Sequence, residues 1–296
     1  MLTADDGVTL VGELVAPEIG SPVPAALILN GSGPLDRDSN MPEQALDIAS
    51  TLATALAAEG VASLRLDKRG VGESGGDYVA MGFDRETDDA AAALVALRGA
   101  KEVDAERVTV IGHSVGATIA IRLASRDHRL AGVVLLSVST MRGEDVMRWQ
   151  SERIAASFRW FERWRAARFL REQERVRQLL LASEGDVVAI DGAELPARWL
   201  REFMVHDPVR DLPAIRCPVL AVTGRNDIQV DADDVQRIGS LVAGPFEGEV
   251  PADLTHVLRR HSSRSGIDTY PEQLRKPMDA ELVERIVTWV AARSPP

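Results

Sequence analysis

Apolar runs separated by amphipathic helical stretches organise this chain. Met1 to Val11 alternates polar and apolar residues, Val8 to Val15 predicts a short strand, and the unbroken apolar Ala25 to Leu29 predicts a buried one. Glu43 to Glu59 has the periodicity of an alanine-rich amphipathic helix, stopped by Gly60. The pattern then repeats, with strands predicted over Val61 to Leu66, Val108 to Ile111 and Val133 to Val138, and helices over Phe83 to Leu97 and Val115 to Ser125. Strands alternating with helices of this length predict βαβ units and a mostly parallel sheet with helices on both faces. In such sheets, functional residues collect at the carboxyl ends of the strands.

From Met141 to about Leu212 the alternation stops and a long helical stretch rich in arginine and aromatics takes over. Pro218 to Thr223 resumes as an apolar strand, followed by a helix over Asp231 to Val242 and a last strand over Phe246 to Val250. Asp279 to Ala292 then predicts a closing helix with Leu282, Ile286, Trp289 and Val290 on one face. The chain therefore divides into a core, residues 1–140 and 213–296, and an insertion, residues 141–212.

Gly112-His113-Ser114-Val115-Gly116 sets a serine between two glycines where a strand ends and a helix begins. That is the setting of a nucleophile elbow, whose tight turn exposes the hydroxyl and admits only small residues two positions either side. A serine hydroxyl is nearly inert at neutral pH, so a base and an acid that orients it are also needed. Asp227 follows the strand Pro218 to Thr223, and His256 follows the strand ending at Val250, so both fall on the rim that carries Ser114. Ser114, Asp227 and His256 are the expected nucleophile, orienting acid and general base. His206 precedes the acid and His261 lies about one helical turn past His256; both remain open as alternative bases. A tetrahedral intermediate needs backbone donors, for which the N–H of Val115, at a helix start, and that of Ser32, in Asn30-Gly31-Ser32-Gly33-Pro34, are the candidates. Asp67 to Ser74 is a comparable turn whose Asp, Arg and glycines are expected to hold loop geometry.

Composition narrows the classes. With 296 residues, 45% apolar and 27% charged, the chain can bury a sizeable core, and its net charge of −11 argues against nucleic acid and anionic membranes as partners. Met1 to Val11 has no signal-peptide pattern and no apolar run spans a bilayer, so a cytoplasmic location is expected. Cys217 is the single cysteine and, opening a strand, is expected to be a buried core thiol. Five histidines without paired spacing and no cysteine pairs leave neither metal nor cofactor expected.

These pieces resemble the α/β-hydrolase superfamily over nearly the full length. The chain looks specifically like bacterial carboxylesterases and serine-aminopeptidase-like hydrolases with a GSGPxDRD segment, here Gly31 to Asp38. Further matching pieces are Asp67 to Ser74, Gly112 to Gly116, Asp207-Pro208, Cys217 to Leu220, Asn226 to Val230 and Thr255-His256. The resemblance implies an α/β-hydrolase fold, a Ser114–His256–Asp227 triad, and an insertion that forms a helical cap over the pocket.

Most aromatics of this aromatic-poor chain fall in the insertion. Phe158, Phe161 and Phe169, at near-helical spacing, can pack the cap onto the core; alternatively Trp160, Trp164 and Phe161 line an apolar substrate pocket. The interleaved arginines suit a solvated face, with one turned inward toward a substrate carboxylate as the alternative. The expected activity is hydrolysis of small carboxylic esters through an acyl-enzyme. Peptidase, amidase, thioesterase or acyltransferase chemistry, or a noncatalytic binding role on the same fold, stay open.

Overall fold

A computed structural model describes residues 1–18, 22–158, 161, 163–263 and 265–293. In chain order it begins with β1 (Leu2–Thr3), β2 (Thr9–Leu10), β3 (Gly12–Val15), β4 (Val23–Leu29), and the small strands β5 (Asn40–Met41) and β6 (Gln44–Ala45). Next come α1 (Ile48–Ala58), β7 (Ala62–Leu66), α2 (Phe83–Arg98), β8 (Val103–His113), α3 (Val115–Arg126) and β9 (Gly132–Leu136). The insertion holds α4 (Gly143–Ser157), α5 (Arg163–Ala182), β10 (Val188–Ile190), β11 (Ala193–Leu195) and α6 (Ala197–Val205). The core resumes with β12 (Val219–Val222), α7 (Asp234–Leu241), β13 (Phe246–Glu249), α8 (Tyr270–Gln273) and α9 (Ala280–Ala291).

Seven of these strands form one sheet in the order β13-β12-β9-β8-β4-β7-β3. All neighbours are parallel except β3, which runs antiparallel to β7 at one edge. Strands covered on both faces must be apolar throughout, and the five residues of β9 and four of β12 are accordingly all buried. One face packs against α2, α3 and α7, centred on Phe83, Val110, Ile119, Ile121 and Ile238. The other packs against α1 and α9, through Leu52, Leu56, Ile286 and Trp289. This is the α/β-hydrolase fold, and its carboxyl rim is where β8, β12 and β13 deliver the site.

Two local departures from the sequence expectations have identifiable causes. The helix expected from Glu43 starts at Ile48, because residues 40–45 form a hairpin and the Asn40 carboxamide oxygen accepts from the Leu46 and Asp47 N–H groups. The insertion is not wholly helical: β10 and β11 pair as a hairpin around Asp191 and Gly192, both left-handed. Cys217 is a buried core thiol, and burial pushes it up to about 11.

Candidate active site

β8 ends in His113, and the chain turns through Ser114 at φ 55°, ψ −121° before α3 begins. A non-glycine residue held there is strained by about 1–3 kcal/mol, and the surroundings fix it. Its N–H donates to the Leu136 carbonyl at 2.8 Å, and its carbonyl accepts from Ala117 and Thr118. The flanking glycines are required by space. A Cβ on Gly112 would stand 2.3 Å from the Gly116 carbonyl oxygen, and one on Gly116 would stand 2.3 Å from that of Leu29.

The Ser114 hydroxyl donates to His256 Nε2 at 3.1 Å. On the other side of the ring, Nδ1–H donates to the Asp227 carboxylate at 2.9 and 3.1 Å. A carboxylate only accepts, so the proton is on Nδ1 and Nε2 is left as the acceptor facing serine. Asp227 is buried and its Oδ1 also accepts from the N–H groups of Gln229 at 2.7 Å and Val230 at 3.1 Å, so the acid is immobilised from three directions. His261, one of the alternative bases, instead shares a 2.7 Å hydrogen bond with Ser263. His206 belongs to the insertion itself, just after α6, and its ring packs against Phe83 with centroids 5.4 Å apart.

Further residues hold the imidazole loop. The buried Arg259 guanidinium donates to the carbonyls of Val257 at 2.7 Å and Leu46 at 2.5 Å, tying that loop to the 40–45 hairpin. Asn226 donates to the carbonyls of His261 and Ser263, joining the acid and base loops. His113 shares a 2.9 Å hydrogen bond with the His256 carbonyl; since a carbonyl only accepts, Nε2 of His113 carries the proton. Burial first, and then the neighbouring His256 ring 5.1 Å away, push the His113 imidazole down to about 3, so it is neutral at ordinary pH.

The loop after β4 abuts the elbow: a Cβ on Gly31 would be 3.3 Å from Ser114 Cβ. Among the described residues neither the Ser32 nor the Val115 N–H has a hydrogen-bond partner, which leaves both available at this point. Lys68 steadies the loop from below, donating to the Gly31 carbonyl at 2.5 Å and pairing with Glu86 at 2.7 Å. Glu86 in turn accepts from the Trp199 indole N–H at 2.6 Å, so an ionic link runs from the insertion to the Gly31 loop. Asp67 accepts from the Arg37 and Glu73 N–H groups and pairs with the Arg37 guanidinium, as expected of a residue that sets loop geometry.

Two cavities meet at Ser114. The larger, about 180 Å³, has Gly31, Ser32, Met41, Leu46, His256 and Tyr270 in its walls. The smaller, about 30 Å³, is bounded by Val115, Ser137, Met141, Val146, Phe203 and His206. Of the aromatics named as pocket residues, Trp160 lies outside the described residues. Phe161 and Trp164 are exposed, and neither is in the described walls of these two cavities. Trp164 borders a separate groove with Phe158 and Phe169. The reason is the polarity of α5, whose buried residues are Arg177 and Leu180 only, so that most of the helix faces solvent. Packing of the insertion onto the core falls instead to α6, where Trp199 and Phe203 meet Phe83 edge-on at 5.6 and 5.5 Å. The inward arginine is Arg177, buried and paired with Glu174.

No described helix is long and apolar enough to cross a membrane. The sequence model of the family described as serine aminopeptidase, S33, matches residues 43–244. Esterase EstD of Thermotoga maritima is 26% identical over 287 residues, which cover 95% of this chain and 65% of that protein, so the chain spans less than two thirds of this relative. Among solved structures, the DcsB complex with its substrate analogue superposes with a TM-score of 0.68 at 14% identity, covering 99% of this chain and 97% of that one. The Pyrococcus furiosus esterase Pf2001 gives 0.64 at 20% identity, covering 98% and 87%. Est1E of Butyrivibrio proteoclasticus, bound to ferulic acid, gives 0.64 at 17% identity, covering 98% and 96%. These likenesses are of fold, whereas the family model covers well over half of the chain; the protein belongs to the serine aminopeptidase S33 family of α/β-hydrolases.

Proposed function

We propose that this protein is a serine hydrolase that cleaves small carboxylic esters through an acyl-enzyme. The observation that carries this reading is the unbroken hydrogen-bonded chain from the Ser114 hydroxyl through His256 to the buried Asp227. Ser114 Oγ attacks the ester carbonyl while His256 Nε2 takes its proton; Asp227 keeps Nδ1 protonated and stabilises the imidazolium. The Ser32 and Val115 N–H groups receive the oxyanion, with the α3 N-terminus adding positive potential. Collapse breaks the bond to the leaving alkoxide, which takes the proton from His256. Water then attacks the acyl-enzyme by the same route and releases the acid. The insertion, residues 141–212, acts as a cap over the smaller cavity, to which Met141, Val146, Phe203 and His206 contribute. The esterase names of EstD, Pf2001 and Est1E support ester over amide chemistry. A second reading, aminopeptidase or amidase, is favoured by the name of the matching family. A reducing cytoplasm suits the single buried thiol.

The test is labelling by a fluorophosphonate probe together with a panel of matched esters, thioesters and aminoacyl amides. The expected outcome is labelling of wild type and not of Ser114→Ala, with ester turnover exceeding that of the matched amides. Amide turnover above ester turnover favours the second reading, and a folded protein that never labels refutes both.

A further inference from the structure

The two cavities at Ser114 are not equivalent, and we infer that the smaller one selects a short acyl group with at most two heavy atoms beyond the carbonyl carbon, one of them a hydroxyl or carbonyl oxygen. This rests on the serine-esterase reading above and deepens it. His256 must hand its proton to the departing oxygen, so the leaving group lies on the side that His256 lines, which is the larger cavity. The acyl substituent takes the other direction, into the cavity bounded by Val115 and Met141, which His256 does not line. About 30 Å³ there has room for about two water-sized spheres, so it admits one or two heavy atoms beyond the carbonyl carbon.

The chemistry of the walls sets the second half of the inference. Ser137 is completely buried, and its Oγ has no hydrogen-bond partner among the described residues. His206 Nε2 is likewise buried without one, and stands 3.8 Å from the nearest Asp211 carboxylate oxygen, beyond hydrogen-bond range. Both line this cavity. Neither atom shows surface in the cavity as it stands, so each lies just behind the wall; a turn of the Ser137 hydroxyl or the His206 ring toward an acyl oxygen gives it a partner, which a plain alkyl tail does not offer.

The inference is tested with ethyl glycolate, ethyl propionate and ethyl octanoate on wild type, Ser137→Ala and His206→Phe. Glycolate and propionate acyl groups are nearly isosteric and differ by a hydroxyl for a methyl. Their intrinsic difference in reactivity cancels when one enzyme's kcat/KM ratio is divided by another's. The expected result is propionate turned over at least about 100-fold better than octanoate. The glycolate-to-propionate ratio is expected to fall about 3- to 10-fold in either variant, the range of one neutral hydrogen bond. Propionate favoured over octanoate by less than about 100-fold, or a ratio that falls less than threefold in both variants, overturns the inference. Labelling of Ser114 by a fluorophosphonate separates the cases: a folded protein that labels but shows those outcomes refutes only this inference, and one that never labels refutes the esterase reading beneath it.

Discussion

Asp227→Asn is the sharpest perturbation of the site because the surrounding donors dictate how the amide must sit. Oδ1 accepts from the N–H groups of Gln229 at 2.7 Å and Val230 at 3.1 Å, so the asparagine oxygen must take that position. Turning the amide over would bury its NH2 against two backbone donors, leaving all three unpaired. The NH2 therefore replaces Oδ2, which lies 2.9 Å from His256 Nδ1. A donor at that point needs a lone pair on Nδ1, which moves the ring proton to Nε2. There it faces the Ser114 hydroxyl 3.1 Å away as a second donor, and the base is lost without any change of shape. An inverted tautomer in a triad of this kind lowers kcat about 10⁴-fold, or about 5 kcal/mol. The assay is kcat on a short chromogenic ester and the rate of fluorophosphonate labelling, with thermal unfolding as the control for folding. A variant with wild-type Tm and kcat within tenfold of wild type refutes the argument.

Two further outcomes are expected. The unfolded chain binds a proton on His113 near pH 6.5 that the folded chain does not bind until about pH 3, so stability is full above pH 6.5 and falls as pH drops through that window. Urea unfolding at pH 7.5 and 5 should show a loss about 2 kcal/mol smaller in His113→Asn than in wild type, and equal losses contradict the buried neutral imidazole. Lys68→Met leaves the buried Glu86 carboxylate without its counter-charge, with only the Trp199 indole N–H as donor, and should lower stability by about 3–5 kcal/mol in chemical denaturation. It also frees the Gly31 carbonyl, so kcat should fall more than KM changes; a loss below about 1 kcal/mol refutes the link between the insertion and the Gly31 loop.

The parts of this protein visible in its sequence are those governed by local periodicity. β4, β9 and β12 are unbroken apolar runs because helices cover both of their faces, and such runs identify themselves. Ser114, Asp227 and His256 could be nominated because each follows a strand end, and parallel strands share one carboxyl rim. Arg259, Lys68 and Trp199 could not, because each works by reaching a distant carbonyl or side chain, and no spacing in the chain encodes that reach. The hairpin at residues 40–45 was hidden for a different reason. Its second half, from Glu43, fits the amphipathic pattern that α1 continues, and a side-chain acceptor, the Asn40 carboxamide oxygen, decides where the helix begins. Trp164 shows the converse failure: aromatic content alone says nothing about which face of a helix meets solvent.

The walls of the two cavities come from different lengths of chain. The 40–46 hairpin and the loops carrying His256 and Tyr270 shape the larger, whereas the roots of the insertion, Met141 to Val146 and Phe203 to His206, shape the smaller. Mutation in one stretch leaves the other untouched, so tolerance for either half of a substrate can drift independently. A laboratory library aimed at new alcohols belongs in the first stretch, and one aimed at new acids belongs in the second.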